Sequence, residues 1–186
     1  MSFCLSRKIR VCIVAIPAAL LFIGWLSTPK TINRAAIDVG SGSIKVIVAK
    51  IDPQSQKIRA TLYSEEHQIP LKRDIQVGGK SELSEKIQTT AINTLTQLKE
   101  ELSSYQPTEW KGIATAASRQ ANNAQDLYDR IFNELSMDIA IISQEEEGRL
   151  GFLTAVAVSR LDPDKLIAID SGSGSFQLTT LLDDNL

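Results

Sequence analysis

The octapeptide AIDVGSGS at residues 36–43 returns near the other end of the chain as AIDSGSGS at residues 168–175. In each copy, the end of an apolar strand and an aspartate precede a run of glycine and serine, a pattern that favours a tight turn after a β-strand. Asp38 and Asp170 therefore lie where two strands end, the edge at which α/β sheets bind ligands. Because glycine and serine let backbone N–H groups approach an anion, the paired turns predict phosphate binding, with plain hairpin turns as the alternative.

Between the two turns, the sequence alternates between strand and helix patterns. Strands are predicted at residues 35–39, 44–51, 58–69, 112–117, 137–142, 165–169 and 176–182, and helices at 82–103, 124–135 and 144–160. Ser81 and Asn123 are the predicted N-caps of the first two helices, and the polar residues 72–80 are predicted to form a loop. This order predicts an α/β fold in which helices cover a mixed sheet.

Composition excludes several classes of protein. The 186 residues are 43% hydrophobic and 23% charged, which excludes collagen, low-complexity and disordered chains. A net charge of −2 gives no basic field for nucleic acid, so we expect no nucleic-acid partner. Cys4 and Cys12 precede the body, which excludes a disulfide or thiolate metal site there. The single His67, predicted to be exposed, excludes a histidine-rich metal site.

Residues 1–30 are predicted to be a signal or membrane-anchor segment. Arg7, Lys8 and Arg10 precede the uncharged run 11–26, the order that is typical of secretion signals and anchors. The run has sixteen residues, slightly short for a spanning helix, and a buried core helix is the alternative. The basic flank favours a cytoplasmic N-terminus and an exported or membrane-anchored body. If the segment is not used, the protein is expected in the cytoplasm.

The start of the third predicted helix carries three consecutive glutamates. Ser143 and Glu146 have the spacing of a capping box. Glu147 shares its helical phase with Leu150 and is predicted to face inward, whereas Glu145 points elsewhere. An inward carboxylate near an anion site is costly unless it is paired or used, which makes Glu147 a candidate catalytic group. The alternative is that all three glutamates are solvated partners of the helix dipole.

The same stretches resemble the Ppx/GppA family of exopolyphosphatases and guanosine pentaphosphate phosphohydrolases. The resemblance is carried by residues 36–51, 114–123, 141–150 and 169–177. It implies a ribonuclease-H-like domain of the actin-like ATPase superfamily over residues 34–186, preceded by the hydrophobic N-terminal helix. It also implies release of a terminal phosphate from polyphosphate or guanosine pentaphosphate, with a divalent cation, usually magnesium.

The resemblance also implies roles for single residues. Arg119 matches an arginine that contacts phosphate, Glu147 a glutamate that acts on the attacking water, and Asp170 a residue that helps to hold hydrated magnesium. The residues that match the two phosphate loops are Asp38, Gly40, Ser41, Gly42 and Ser43 in the first and Gly172, Ser173, Gly174 and Ser175 in the second. From its position alone, Arg119 is equally a candidate for an ordinary salt bridge.

Several positions depart from the family pattern. Gly42 stands where the family usually has asparagine, and together with Lys45 it resembles actin-type nucleotide binders, so an actin-like ATPase is a weaker alternative. Phe176 and Gln177 replace a threonine and a glutamate, which bears on metal binding and turnover. Family members continue into a second, similar domain, so we expect a truncated chain, with a homodimer or a separate second-domain partner left open. A non-catalytic, membrane-tethered phosphate- or nucleotide-binding module is the main alternative to a phosphatase.

Overall fold

The computed structural model describes residues 31–159 and 161–181. The signal or anchor predicted for residues 1–30 lies outside these residues and stays a prediction. Among the helices that are described, none is long and apolar enough to cross a bilayer.

A five-stranded mixed sheet organises the described residues. The elements in chain order are β1 (Ile32–Val39), β2 (Ser43–Asp52), β3 (Lys57–Gln68), α1 (Leu71–Gly78), α2 (Glu85–Glu101), β4 (Trp110–Ala114), α3 (Ala116–Gln120), α4 (Ala124–Leu135), β5 (Asp138–Ile141), α5 (Gln144–Ser159), β6 (Ile167–Ser171) and β7 (Phe176–Thr180). The sheet order is β3-β2-β1-β4-β5. Strands β1, β2 and β3 pair antiparallel, whereas β4 pairs parallel with both β1 and β5. The predicted mixed sheet is confirmed.

One face of the sheet packs against helices because its strands alternate in polarity. In β1 every second residue is buried: Ala35, Ile37 and Val39. Helices α2 and α4 bury side chains that recur at steps of three and four residues, such as Leu95 and Leu98 in α2, and these join the same hydrophobic core. The two periodicities explain why the helices cover this face and leave the alternate residues of the strands on the other.

The structure corrects the sequence prediction near α1 and α2. Residues 72–80, predicted as a loop, mostly belong to α1, which buries Leu71 and Ile75 one helical turn apart. Ser81 does not cap α2, because Ser84 is the N-cap residue and its Oγ accepts a hydrogen bond from the Ile87 N–H at 3.3 Å. The polar composition of this stretch concealed a short amphipathic helix.

Two further corrections concern α3 and α4. The strand predicted at 112–117 ends at Ala114, and α3 begins at Ala116, so Arg119 lies on a helix. Asn123 precedes α4 as predicted, but its side chain makes no cap hydrogen bond. Instead its side-chain amide makes two hydrogen bonds with the backbone of Leu83. Oδ1 accepts from the Leu83 N–H at 2.8 Å, and Nδ2 donates to the Leu83 carbonyl at 2.9 Å. Asn123 therefore ties two segments together instead of capping one.

Strands β6 and β7 form a separate two-stranded antiparallel sheet that packs on α5. Gly148 allows the close approach, since a Cβ there would lie 2.8 Å from Thr179 Oγ1. The face of this hairpin away from α5 is apolar and exposed; its large side chains are Ile167, Ile169, Phe176 and Leu178. The second glycine-serine turn therefore sits on a hairpin outside the five-stranded sheet.

Candidate functional site

The two glycine-serine turns have the same backbone hydrogen bond. The N–H of Gly40 donates to the carbonyl of Ser43 at 2.9 Å, and the N–H of Gly172 donates to the carbonyl of Ser175 at 3.0 Å. These residues have the same places in the repeated octapeptide. The repeat in sequence is therefore a repeat in structure.

The two turns also contact each other reciprocally. A Cβ on Gly42 would lie 3.0 Å from the Oγ of Ser173. A Cβ on Gly174 would overlap the side chain of Ser41 and lie 3.0 Å from the Cβ of Ala116. In each turn the second glycine thus faces the serine of the other turn. Neither glycine has a positive φ, so glycine is required here by close approach and not by backbone conformation.

Several backbone N–H groups in the two turns have no hydrogen-bond acceptor among residues 31–159 and 161–181, including those of Ser41, Gly42, Ser173 and Gly174. The hydroxyl of Ser41 is buried and likewise has no partner in the described part of the chain. Clustered free N–H groups in such turns bind anions, so the turns are equipped to hold phosphate oxygens.

A cleft of about 330 Å³ opens beside both turns. Every predicted site residue except Arg119 lines its walls. The lining residues among the predicted ones are Asp38, Gly40, Ser41, Gly42, Ser43, Glu147, Asp170, Gly172, Ser173, Gly174 and Ser175. The cleft also contains residues that sequence reasoning did not select, among them Thr115 and Glu66. Residues far apart in sequence are thus gathered into one site.

Glu147 is held in a chain of polar contacts at the wall of this cleft. Its side chain is 12% exposed. The hydroxyl of Ser175 donates to Glu147 Oε1 at 3.1 Å, and the amide of Gln177 donates to that hydroxyl at 2.9 Å. Nη2 of Arg119 lies 2.9 Å from Glu147 Oε2 in an ion pair. The carboxylate therefore faces inward, and its two oxygens have different partners.

The neighbouring glutamates behave as surface residues. Ser143 Oγ accepts a hydrogen bond from the Glu146 N–H at 3.0 Å, which is the first half of the predicted capping box. The second half does not form, because the Glu146 carboxylate pairs with Arg149 at 2.7 and 2.8 Å. Glu145 is exposed. Only one of the three glutamates thus points toward the cleft.

Arg119 does not line the cleft. Besides its ion pair with Glu147, it donates from Nη1 to the carbonyl of Ile142 at 3.0 Å. Of the two sequence hypotheses for this residue, the structure contains the salt bridge, and its role as a phosphate ligand stays a prediction. Through its pair with Glu147, Arg119 contacts one residue of the cleft wall.

The charge of the cleft is acidic. Among the described residues, four carboxylates, Asp38, Glu66, Glu147 and Asp170, line it together with one cation, Lys45. Burial raises the pKa of Asp38 above its ordinary value, Lys45 at 4.0 Å opposes this, and the three other carboxylates reinforce it. A polyanion would meet repulsion here unless a cation accompanied it.

The donor set fits magnesium that keeps its water shell. Among the described residues, no group of three histidine, cysteine or acidic side chains is close enough to hold a bare metal ion. Asp38, Glu147 and Asp170 nevertheless face one cleft, near enough for the latter two to raise the pKa of Asp38. Mg²⁺ binds proteins through few carboxylates and retains several waters. A hydrated ion held by Asp170 and its neighbours therefore agrees with this arrangement.

Lys72 is the residue that sequence reasoning missed most clearly. Its backbone N–H donates to the carbonyl of Ser41 at 2.9 Å, and its side chain donates to the carbonyl of Ser173 at 3.3 Å. It was overlooked because residues 72–80 were predicted as a loop. The four-residue spacing of Leu71 and Ile75 was the available signal for the helix that places it.

Comparisons with known proteins identify a family model that matches most of this chain. The sequence profile of the Ppx/GppA phosphatase family matches residues 47–185. A bifunctional 3-dehydroquinate synthase/phosphatase from Fusobacterium nucleatum is 24% identical over 151 residues, which are 78% of this chain and 22% of that protein. The comparison therefore covers only a small part of the longer protein.

Solved structures of Ppx/GppA proteins have a similar fold. The Ppx/GppA family member from Aquifex aeolicus superposes with a TM-score of 0.68 at 24% identity, covering 80% of this chain and 47% of that one. An exopolyphosphatase from Cytophaga hutchinsonii gives a TM-score of 0.65 at 25% identity, with 80% and 46% covered. This chain thus spans just under half the length of these structures. The likeness shows the α/β fold, with a mixed sheet flanked by helices.

Proposed function

Since the chain belongs to the Ppx/GppA phosphatase family, we propose that it hydrolyses phosphoanhydrides, releasing the terminal phosphate from polyphosphate or guanosine pentaphosphate. The observation that carries the proposal is the placement of Glu147 beside two phosphate-type turns in one cleft. The names of the similar proteins, a synthase/phosphatase and an exopolyphosphatase, support this class of reaction.

The residues of the cleft divide the work of phosphoryl transfer. Free N–H groups of the two turns hold oxygens of consecutive phosphates. Glu147 takes a proton from a water molecule while the water oxygen bonds the terminal phosphorus, and the anhydride P–O bond breaks with its electrons on the leaving chain. Asp170 would help to hold magnesium, which would supply charge neutralisation when bound. Positioning and charge balance, and not a covalent intermediate, carry the reaction.

Arg119 has to change partner during this reaction. In the structure its guanidinium is paired with the Glu147 carboxylate, the group that is proposed to act on water. A phosphate group offers the guanidinium a stronger, bidentate partner. Substrate binding would then move Arg119 toward phosphate and release Glu147 to its water.

Replacement of Glu147 by glutamine tests the proposal. We expect Glu147→Gln to lower phosphate release from polyphosphate by about 10²–10⁴-fold, the usual contribution of a general base. Binding should stay the same or tighten, because a negative charge beside the anion is lost. Glu145→Gln is the matched control, since that side chain is exposed on the same helical turn. Release is measured with magnesium and with a chelator.

A binding module without catalysis is the second candidate function. It is favoured by Gln177, which is buried and whose Oε1 lacks a partner among the described residues, at a place where the family usually has a carboxylate. The same assay separates the two candidates. Wild-type binding of polyphosphate with no phosphate release in magnesium would support the module, and release that survives Glu147→Gln undiminished would remove Glu147 from the mechanism.

A further inference from the structure

Lys72 joins the two turns at equivalent atoms. It is the second residue of α1, and it donates from its main chain to the carbonyl of Ser41 and from its side chain to the carbonyl of Ser173. Ser41 and Ser173 have the same place in the two copies of the octapeptide. Lys72 therefore binds the same backbone carbonyl group in both copies of the octapeptide.

The orientation of the free N–H groups follows from these two bonds. A trans peptide unit is planar, with its C=O and the next N–H pointing in opposite directions. When Lys72 binds the carbonyl of Ser41, the N–H of Gly42 must point away from Lys72, and the same holds for Ser173 and Gly174. These are two of the N–H groups that have no acceptor among the described residues. Lys72 thus fixes the direction of two candidate phosphate donors.

The second turn has the greater need of such a tie. The first turn joins two strands of the five-stranded sheet, whereas the second joins β6 and β7, which within residues 31–159 and 161–181 pair only with each other. Across the described residues, Lys72 makes no ion pair with a carboxylate. Its ammonium group is committed to the carbonyl of Ser173 and adds positive charge next to an acidic cleft.

We propose that Lys72 is a positioning residue that holds the second phosphate turn against the first and aligns the N–H groups of Gly42 and Gly174 toward one substrate. This inference rests on the proposed function for its substrate, a chain of linked phosphates. The contact between the turns itself does not depend on that function.

The test compares three variants of the full chain. Lys72→Met keeps the length of the side chain but removes the donor, Lys72→Arg retains a cationic donor, and Lys86→Met is the control, since Lys86 is exposed on α2. Amide hydrogen exchange is followed at Gly40 and Gly172, the bonded N–H of each turn. Affinity for tripolyphosphate is measured by calorimetry with magnesium present.

We expect an asymmetric response to Lys72→Met. Exchange at Gly172 should accelerate several-fold, whereas exchange at Gly40 should not change, because the main-chain bond to Ser41 remains. Tripolyphosphate should bind about tenfold more weakly, equivalent to about 1.4 kcal/mol. Lys72→Arg should recover most of both effects, and Lys86→Met should show neither.

The two readouts separate failure of the inference from failure of the proposed function. If the wild type does not bind tripolyphosphate, the proposed function fails while exchange at Gly172 still decides whether Lys72 holds the turn. If the wild type binds and Lys72→Met changes neither readout, the inference is overturned and the proposed function stands. Faster exchange with unchanged affinity would also overturn it, because Lys72 would then hold the hairpin without aligning the substrate.

Discussion

Ile37 and Ile169 have the same place in the two copies of the octapeptide, yet Ile37 is 2% exposed and Ile169 is 66% exposed. Strand β1 lies between β2 and β4, and its Ile37 enters the core beneath the helices. Strand β6 pairs only with β7, and the face that carries Ile169 is open in the described part of the chain. The same local sequence thus meets two different surroundings.

The turns that follow these strands do not differ in this way. Both make the same N–H to carbonyl hydrogen bond, and both aspartates that precede them line the same cleft. Even the cross-strand partners correspond, since Asp38 pairs with Lys45 and Asp170 pairs with Gln177 at equal sequence separation. Turn conformation is therefore set by local sequence, whereas burial depends on which elements cover a strand.

The prediction with the largest expected effect tests whether burial differs between the two equivalent isoleucines. Ile37→Ala should lower the free energy of unfolding by about 2–5 kcal/mol, the cost of a cavity in a packed core. Ile169→Ala should change it by no more than about 0.5 kcal/mol, as expected for an exposed position. Urea denaturation of both variants measures the difference. Equal losses would mean that the exposed face of the hairpin is covered in solution.

The mixed sheet and its helices could be predicted from sequence because they follow from periodicity. Steps of three and four residues indicated α2 and α4, and apolar runs between turn residues indicated the strands. The helix α1 was missed because only two of its residues, Leu71 and Ile75, are buried. A short helix that packs through one turn leaves too little pattern to distinguish it from a polar loop.

For the site, sequence predicted the members of the cleft better than their contacts. The repeat indicated both turns, and helical phase indicated the inward carboxylate of Glu147. The reciprocal contact of Gly42 with Ser173 and the bridge made by Lys72 depend on how α1 and the hairpin meet. That meeting is a long-range event, which local composition does not encode.

The second prediction concerns the reciprocal glycines, which look equivalent but are not. Gly174→Ala would place a methyl group against the Cβ atoms of Ser41 and Ala116, which cannot rotate away. The cost of such overpacking is about 1–3 kcal/mol, so tripolyphosphate should bind about 5-fold to 150-fold more weakly where the contact of the turns is needed for binding.

Gly42→Ala is the matched control for that prediction. Its methyl group would lie 3.0 Å from the Oγ of Ser173, the mobile end of a side chain, and at an ordinary 3.7 Å from its Cβ, so affinity should fall less than about threefold, or about 0.6 kcal/mol. Calorimetry on both variants decides the question. If Gly42→Ala weakens binding as much as Gly174→Ala, the turns are equally confined and the proposed asymmetry is wrong.

The smallest effect concerns Asp38, whose place Asp170 takes in the second copy. Burial holds the pKa of Asp38 above its ordinary value, so the ionised carboxylate destabilises the folded state. This destabilisation decreases as the pH falls through the raised pKa, because the carboxylate then becomes protonated. Asp38→Asn should therefore raise the melting temperature near neutral pH, and the gain should shrink in acid. Lys45→Met should act in the opposite direction, since Lys45 lowers the pKa of Asp38.

Both changes should be smaller than the two effects above, because the Asp38 side chain is 43% exposed and water screens its charge. A lower melting temperature for Asp38→Asn near neutral pH would mean that the pair with Lys45 outweighs burial, and the acidic cleft would then be less strained than its four carboxylates suggest.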